Sequence, residues 1–175
     1  PPQTKTLSGA QPAALEWRAR DIDARCELVA GAARVLRENL EHFARLMTLE
    51  MGKPISEARA EVEKSASGCE YYAEHGPAFL ADELIESDAS RSLVCYQPLG
   101  TVLAIMPWNF PFWQVFRFAA PALVAGNTCL LKHASNVPQC ALAIQSLFEQ
   151  AGFPEYVFST LMIPSSRVAG VIEDP

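Results

Sequence analysis

Near residue 92 the apolar pattern of this chain changes period, and that change limits the fold more than any other feature of the sequence. Before it, Ile22, Cys26, Val29, Ala33, Leu36, Leu40, Phe43 and Met47 recur at alternating steps of four and three. That spacing predicts one face of a single helix of about seven turns. Arg25, Arg34, Arg37, Glu38 and Glu41 fill its solvated sides. Asp21 or Asp23 is placed to serve its N-terminus, Gly52 to stop it and Pro54 to start the next element. Ala58, Val62, Ser65, Cys69 and Tyr72 repeat the stepping as far as Gly76-Pro77, which read as a helix end. The small residues in both series fit packing against the rest of the fold better than a coiled coil. After residue 92 come short apolar runs: 92–96, then 101–106 (TVLAIM), 128–131 and 156–163. Residues 98–100 read as a turn, 111–125 as a helix stopped by Gly126-Asn127, 138–151 as a helix closed by Gly152 and Pro154, and 165–172 as the start of another. Strand alternating with helix means βαβ units and a parallel sheet. The fold class is therefore α/β, with a helical segment over 1–91 and a βαβαβ segment over 92–175. Three parallel strands fall short of the five or six usual in doubly wound sheets. Either the domain is unusually small or the chain is cut short.

Composition narrows the function classes. Half of the 175 residues are apolar and 19% are charged, which describes a globular chain with a core. Fourteen basic residues against twenty acidic ones leave a net charge of -6, which argues against a surface that tracks nucleic-acid phosphates. The most apolar stretch, 118–131, contains Pro121, Gly126, Asn127 and Thr128 and is shorter than the roughly 20 residues of a membrane span. The N-terminal residues carry no apolar run of the kind a signal peptide needs. The chain does not open with Met, which leaves its true beginning open. Cys26, Cys69, Cys95, Cys129 and Cys140 form an odd set without CxxC spacing, mostly among apolar neighbours, and read as reduced thiols of a cytoplasmic protein. No metal-ligand grouping is expected.

The densest chemical feature is Met106-Pro107-Trp108-Asn109-Phe110-Pro111, just past a predicted strand. Ligands of open α/β sheets bind outside the carboxyl ends of strands. An Asn fixed there either satisfies local backbone groups of a rigid turn or points its amide at a developing oxyanion. Lys132 is expected just after the second strand of the sheet, where a lysine either is solvated or holds ribose hydroxyls or a phosphate. His133 has no metal-ligand partner in sequence and reads as structural; His42 and His75 read as surface or packing residues. The stretches Glu61-Val62-Glu63 and Asp82-Glu83 read as solvated faces. GxGxxG, GxxxxGK[ST] and GxSxG are all absent, which removes the usual dinucleotide, P-loop and nucleophile-elbow fingerprints.

With these residues in view, the chain resembles the N-terminal third of the aldehyde dehydrogenase superfamily. Leu49-Glu50-Met51-Gly52-Lys53-Pro54 is similar to its LExGKP segment, residues 107–111 to its PWNFP, residues 121–127 with Lys132 to its PALAxGN…LK stretch, and residues 151–154 to its AGxP. The resemblance implies a Rossmann-like sheet that binds NADP or NAD without GxGxxG, here the incomplete first part of that cofactor domain. It implies that Asn109 is the catalytic oxyanion donor to a thiohemiacetal, and that Ile105, Met106, Pro107, Trp108 and Asn109 line the cofactor groove. It further implies that Lys132, His133, Ala134 and Ser135 meet the adenosine ribose. NAD-preferring members often carry Glu where this chain has Ser135, and a Ser can donate to a 2′-phosphate that a Glu would repel. Arg117, eight residues past Asn109, matches the Arg with which succinate-semialdehyde dehydrogenases pair the substrate carboxylate. With Phe110, and with Phe112, Trp113 and Phe116 as further channel aromatics, it implies a short acidic aldehyde as substrate; a helix-surface Arg is the other reading. Phe118 replaces a common Lys, and Lys-His-Ala-Ser-Asn replaces the commoner Lys-Pro-Ala-Glu form, both as in one bacterial branch. The family's nucleophilic Cys, general-base Glu and second glycine-rich loop lie beyond residue 175. The 175 residues alone are thus expected to be inactive, and the longer protein to be a homo-oligomer, dimer or tetramer. The alternative is a non-catalytic piece that binds nucleotide or packs on a partner.

Overall fold

The computed structural model describes residues 2–174; Pro1 and Pro175, the outer ends of the two sequence-defined segments, lie outside the described residues. Four helices come first: α1 (Pro2–Ala19), α2 (Ile22–Glu38), α3 (Leu40–Met51) and α4 (Ile55–Phe79). A small antiparallel hairpin follows, β1 (Glu83–Leu84) with β2 (Leu93–Val94), so the boundary drawn at 91/92 falls inside it. Then come β3 (Thr101–Met106), α5 (Trp113–Val124), β4 (Thr128–His133), α6 (Pro138–Gln150) and β5 (Phe158–Thr160). A short 3-10 turn at Ser165–Arg167 leads into α7 (Val168–Ile172). Strands β3, β4 and β5 form a parallel sheet in the order β3-β4-β5.

Successive side chains of a strand point to opposite faces, and β4 shows what each face meets. Cys129 and Leu131 enter the main core with Val115, Phe116, Ile144 and Phe148 from α5 and α6. Leu130 faces the other way, onto Ala10 of α1, with Leu161 and Ile163 beside it. With helices over both faces, all six residues of β4 are buried, as its unbroken apolar run requires. β3 differs from the buried strand expected of TVLAIM. It is one of the two edge strands of the sheet described, and Thr101 and Ile105 are exposed.

The single long helix expected over 22–47 is two. At Asn39 the backbone leaves helical geometry (φ -110°, ψ 19°), and the carboxamide donates to the Val35 carbonyl at 3.0 Å. An Asn that bonds the preceding turn competes with helix propagation. The apolar face survives the break, since Val29, Leu36, Phe43 and Met47 are all fully or nearly buried. Arg25, expected on a solvated side, is instead buried and donates through Nε to the Val124 carbonyl at 3.0 Å. It thus satisfies a carbonyl at the C-terminal end of α5. Asp21 caps α2 through the Asp23 amide, and Gly52 ends α3 at φ 75°, both as the sequence predicts. Gly76 does not stop α4, which continues through Pro77. A Cβ there would lie 2.4 Å from Val124 Cγ1, so the glycine lets α4 and α5 approach.

Candidate functional site

In the sheet, Ile105 pairs with Lys132 and Met106 with His133, so β3 and β4 end side by side. The turn of residues 107–112 therefore lies next to the turn of residues 134–137. Trp108, Asn109 and Phe110 are exposed. The Asn109 carboxamide makes no hydrogen bond among the described residues. Of the two readings open for it, service to local backbone is thus not what the side chain does. The backbone of this turn is held from outside. Lys53 Nζ donates to the Asn109 carbonyl at 2.9 Å and sits 3.9 Å from the Phe110 ring centroid. The same ammonium pairs with Glu61, whose Oε1 accepts from the amides of Phe112 at 2.8 Å and Trp113 at 3.0 Å. Glu61 supplies the first turn of α5 with an acceptor that the helix's own N-cap residue, Phe112, does not provide.

The second turn opens a cleft of about 240 Å³, lined by Lys132 to Ser135 and, across it, by Leu161, Met162 and Ile163. Complete small-molecule sites usually span roughly 300–1,000 Å³, so the cleft is smaller than a complete site. Lys132 lies in β4, not after it as expected, and its ammonium is buried. Its one hydrogen bond among the described residues is to the His133 carbonyl, at 2.6 Å, and no carboxylate neutralises it. A buried ammonium with donors to spare fits a ribose or phosphate. Ser135 is exposed at the rim. The His133 ring turns the other way and joins the two turns. Its Nε2 lies 2.9 Å from the Pro111 carbonyl, and its Nδ1 accepts from the Ala134 amide at 2.9 Å. Those partners require the neutral tautomer with hydrogen on Nε2. Burial pushes the His133 pKa below its usual range, more than the Pro111 carbonyl raises it.

Arg117 is exposed on α5 and has no hydrogen bond or ion pair among the described residues. Of its expected aromatic neighbours, Phe110 is exposed and Trp113 half-buried, but Phe112 and Phe116 are core residues at 0% and 1% exposure. They pack on Phe43 and Phe148 with ring centroids 5.1 and 5.4 Å apart, so they line no channel. Four of the five cysteines are buried, as expected, and burial raises the pKa of the Cys69 and Cys129 thiols. Cys95 is exposed, one residue past β2.

Reading by motif missed three residues. Glu61 was expected on a solvated face and is buried at 4%. Lys53 and Glu50 belong to the LExGKP-like segment, yet the sequence assigned them no task. Glu50 accepts from the Gln139 and Cys140 amides at 2.7 and 2.8 Å, the first free donors of α6 behind Pro138. A signal for Glu61 existed: it lies three residues after Ala58 and four before Ser65, on the apolar stripe of α4.

The aldehyde dehydrogenase family pattern matches residues 4–174. Among curated relatives, the chain is 59% identical over 143 residues to a Synechocystis protein named probable succinate-semialdehyde dehydrogenase [NADP(+)], covering 82% of this chain and 32% of that one. It is 48% identical over 159 residues to the Escherichia coli succinate semialdehyde dehydrogenase [NAD(P)+] Sad, covering 91% and 34%. Among solved structures, succinic semialdehyde dehydrogenase from Streptococcus pyogenes in complex with NADP+ superposes with a TM-score of 0.94 at 34% identity, over 98% of this chain and 38% of that one. The chain spans about a third of the length of the curated relatives it matches.

Proposed function

Because this chain belongs to the aldehyde dehydrogenase family, we propose that it supplies the cofactor strip and the oxyanion donor of an enzyme that oxidises succinate semialdehyde to the acid. The observation that carries this reading is the Asn109 carboxamide, exposed and without a partner among the described residues at the carboxyl end of β3. Residues 1–91 and 92–175 act as successive segments of one cofactor-binding unit. A bound NADP+ or NAD+ supplies the hydride acceptor. Lys132 holds the adenosine ribose, His133 and Ala134 form the floor beside it, and Ser135 at the rim accommodates a 2′-phosphate. Ile105, Met106, Pro107 and Trp108 line the groove that leads toward Asn109. The amide of Asn109 donates to the oxygen that gains charge when a cysteine thiolate adds to the aldehyde. That cysteine, and the base that activates water, come from sequence outside these 175 residues. Arg117, uncommitted to any carboxylate among the described residues, pairs with the far carboxylate of the substrate, and Phe110 packs beside it. The longer protein assembles as a homodimer or homotetramer.

The test is NADPH formation by a protein that carries this chain and spans the relatives' full length. Turnover of succinate semialdehyde is expected with NADP+ and, less efficiently, with NAD+. Replacing Arg117 with Ala should raise the KM for succinate semialdehyde about tenfold or more, the worth of one charge-assisted contact, and spare a neutral aldehyde. Equal losses on both substrates would remove Arg117 from substrate recognition, and no turnover of either would remove the activity.

A further inference from the structure

The buried pair Lys53–Glu61 has an arrangement that stability does not explain. Its side chains are 9% and 2% exposed. Burying two charges costs desolvation that their attraction seldom exceeds, and apolar residues of like volume often serve the core as well. What distinguishes this pair is where its remaining hydrogen-bonding capacity goes. Lys53 donates to the carbonyl of Asn109, and Glu61 accepts from the amides of Phe112 and Trp113. The two charges thereby grip the same turn at both ends, with Pro111 between them. Lys53 approaches from the α3–α4 connection and Glu61 from within α4. Neither side chain belongs to the turn, so the turn is fixed against the helical half of the molecule. The Phe110 ring over the ammonium closes the same arrangement. The Asn109 side chain, by contrast, has no partner among the described residues. Its direction is therefore set by the backbone, and the backbone is set by the pair.

We infer that Lys53 and Glu61 are positioning residues that aim the Asn109 amide, cross-linking α4 to the turn after β3. The inference rests on the reading of Asn109 as oxyanion donor. Donors of this kind act only when held close to the place where charge develops, and a displacement of about 1 Å can cost on the order of 10²-fold in rate. Their hydrogen bonds go to the backbone of the Asn109 turn and the first turn of α5, so their effect on the rate is expected to pass through the placement of Asn109.

The experiment is a double-mutant cycle in the full-length protein. Lys53→Met with Glu61→Gln keeps the side-chain volumes and leaves an acceptor for the Phe112 and Trp113 amides, but removes the bond to the Asn109 carbonyl. It should lower kcat about tenfold with the KM for NADP+ within about twofold of the parent. In an Asn109→Ala background the same two substitutions should change kcat less than about twofold, because the group they aim is gone. Equal losses in the two backgrounds would overturn the inference while leaving Asn109 in its role. An Asn109→Ala variant with unchanged kcat would overturn the oxyanion reading itself, and the inference with it. If the paired variant does not fold, Glu61→Gln alone enters the same cycle. It should give about a threefold loss in the parent and none in the Asn109→Ala background, and additivity would again overturn the inference.

Discussion

His133 carries two backbone hydrogen bonds with one ring, and its protonation state decides whether both can exist. With hydrogen on Nε2 the ring donates to the Pro111 carbonyl, while bare Nδ1 accepts the Ala134 amide. A proton on Nδ1 would face the Ala134 N–H, donor against donor. Burial is the larger cause and disfavours the charged ring, with Lys132 adding to it, whereas the backbone of Pro111 and of Met106, and Glu50, work in the opposite sense. The folded-state pKa therefore lies below that of the unfolded chain, near 6.5. In acid the unfolded state binds more protons, so the contribution of His133 is present above pH 6.5 and is lost as pH falls through the folded value. Thermal unfolding should show it as a difference. His133→Gln should lower Tm at pH 7.5 and matter less at pH 5. A Tm deficit that is the same at both pH values would mean that His133 stays neutral throughout or that its ring bonds carry no stability. The histidine reads as structural from sequence alone, for want of metal partners. That it ties the turn of Asn109 to the turn of Ser135 becomes visible only when Pro111 and His133, twenty-two residues apart, are brought together.

Helices α5 and α6 begin without a side-chain cap of their own. Neither Phe112 before α5 nor Val137 before α6 makes a side-chain cap bond, and each helix takes a carboxylate from the helical half, Glu61 in one case and Glu50 in the other. A carboxylate at a helix N-terminus satisfies free N–H groups and suits the dipole. Since Pro138 has no N–H, the amides of Gln139 and Cys140 are the first that need an acceptor, and Glu50 takes both. Its carboxylate, with burial the larger cause, also pushes the Cys140 thiol up. Removing the cap by Glu50→Ala should cost about 1–2 kcal/mol, a few degrees in Tm at this size. It should also weaken NADP+ binding, because α6 begins where the turn of Ser135 ends. Exposed Glu57→Ala, on the same helical half, should do neither; equal effects of both would show that Glu50 acts only through net charge. These caps explain where legibility ended. Periodicity located α2 to α6, β3 and β4, and the order strand–helix–strand implied the parallel sheet. It ran α2 and α3 together, because Asn39 breaks the helix without disturbing the apolar stripe. It passed over α1, whose one buried stripe is mostly alanine. It placed Asn109 and Lys132 at strand ends, but not the charges that hold the turn of Asn109 and cap α6, since contacts such as Glu50 to Cys140 span 90 residues.

For the whole molecule, the decisive quantity is which reactive groups these residues bring to the Asn109 turn. An aldehyde oxidation through a covalent adduct needs an accessible thiolate there. Cys26, Cys69, Cys129 and Cys140 are buried, and the pKa of each thiol is raised, chiefly by burial. Cys95 is exposed, but it follows the β1–β2 hairpin, a sheet separate from the one whose strand ends carry Asn109 and Lys132. Around that turn Ile105, Trp108 and Phe110 are 55%, 49% and 45% exposed. They present an apolar surface beside Asn109, with no cysteine among the described residues against it. The 175 residues by themselves should therefore form no NADPH from NADP+ and succinate semialdehyde, measured by absorbance at enzyme concentrations near those of the substrate. They should still bind NADP+, read from quenching of Trp108 at the groove. A Lys132→Met variant should lose that binding, since it removes the buried ammonium and leaves the apolar stem. Binding without turnover is the outcome that agrees with half a site. Turnover by the chain alone would mean that one of its own thiols reaches the aldehyde, and replacing Cys95 with Ser would then be the first substitution to separate that route from the one proposed.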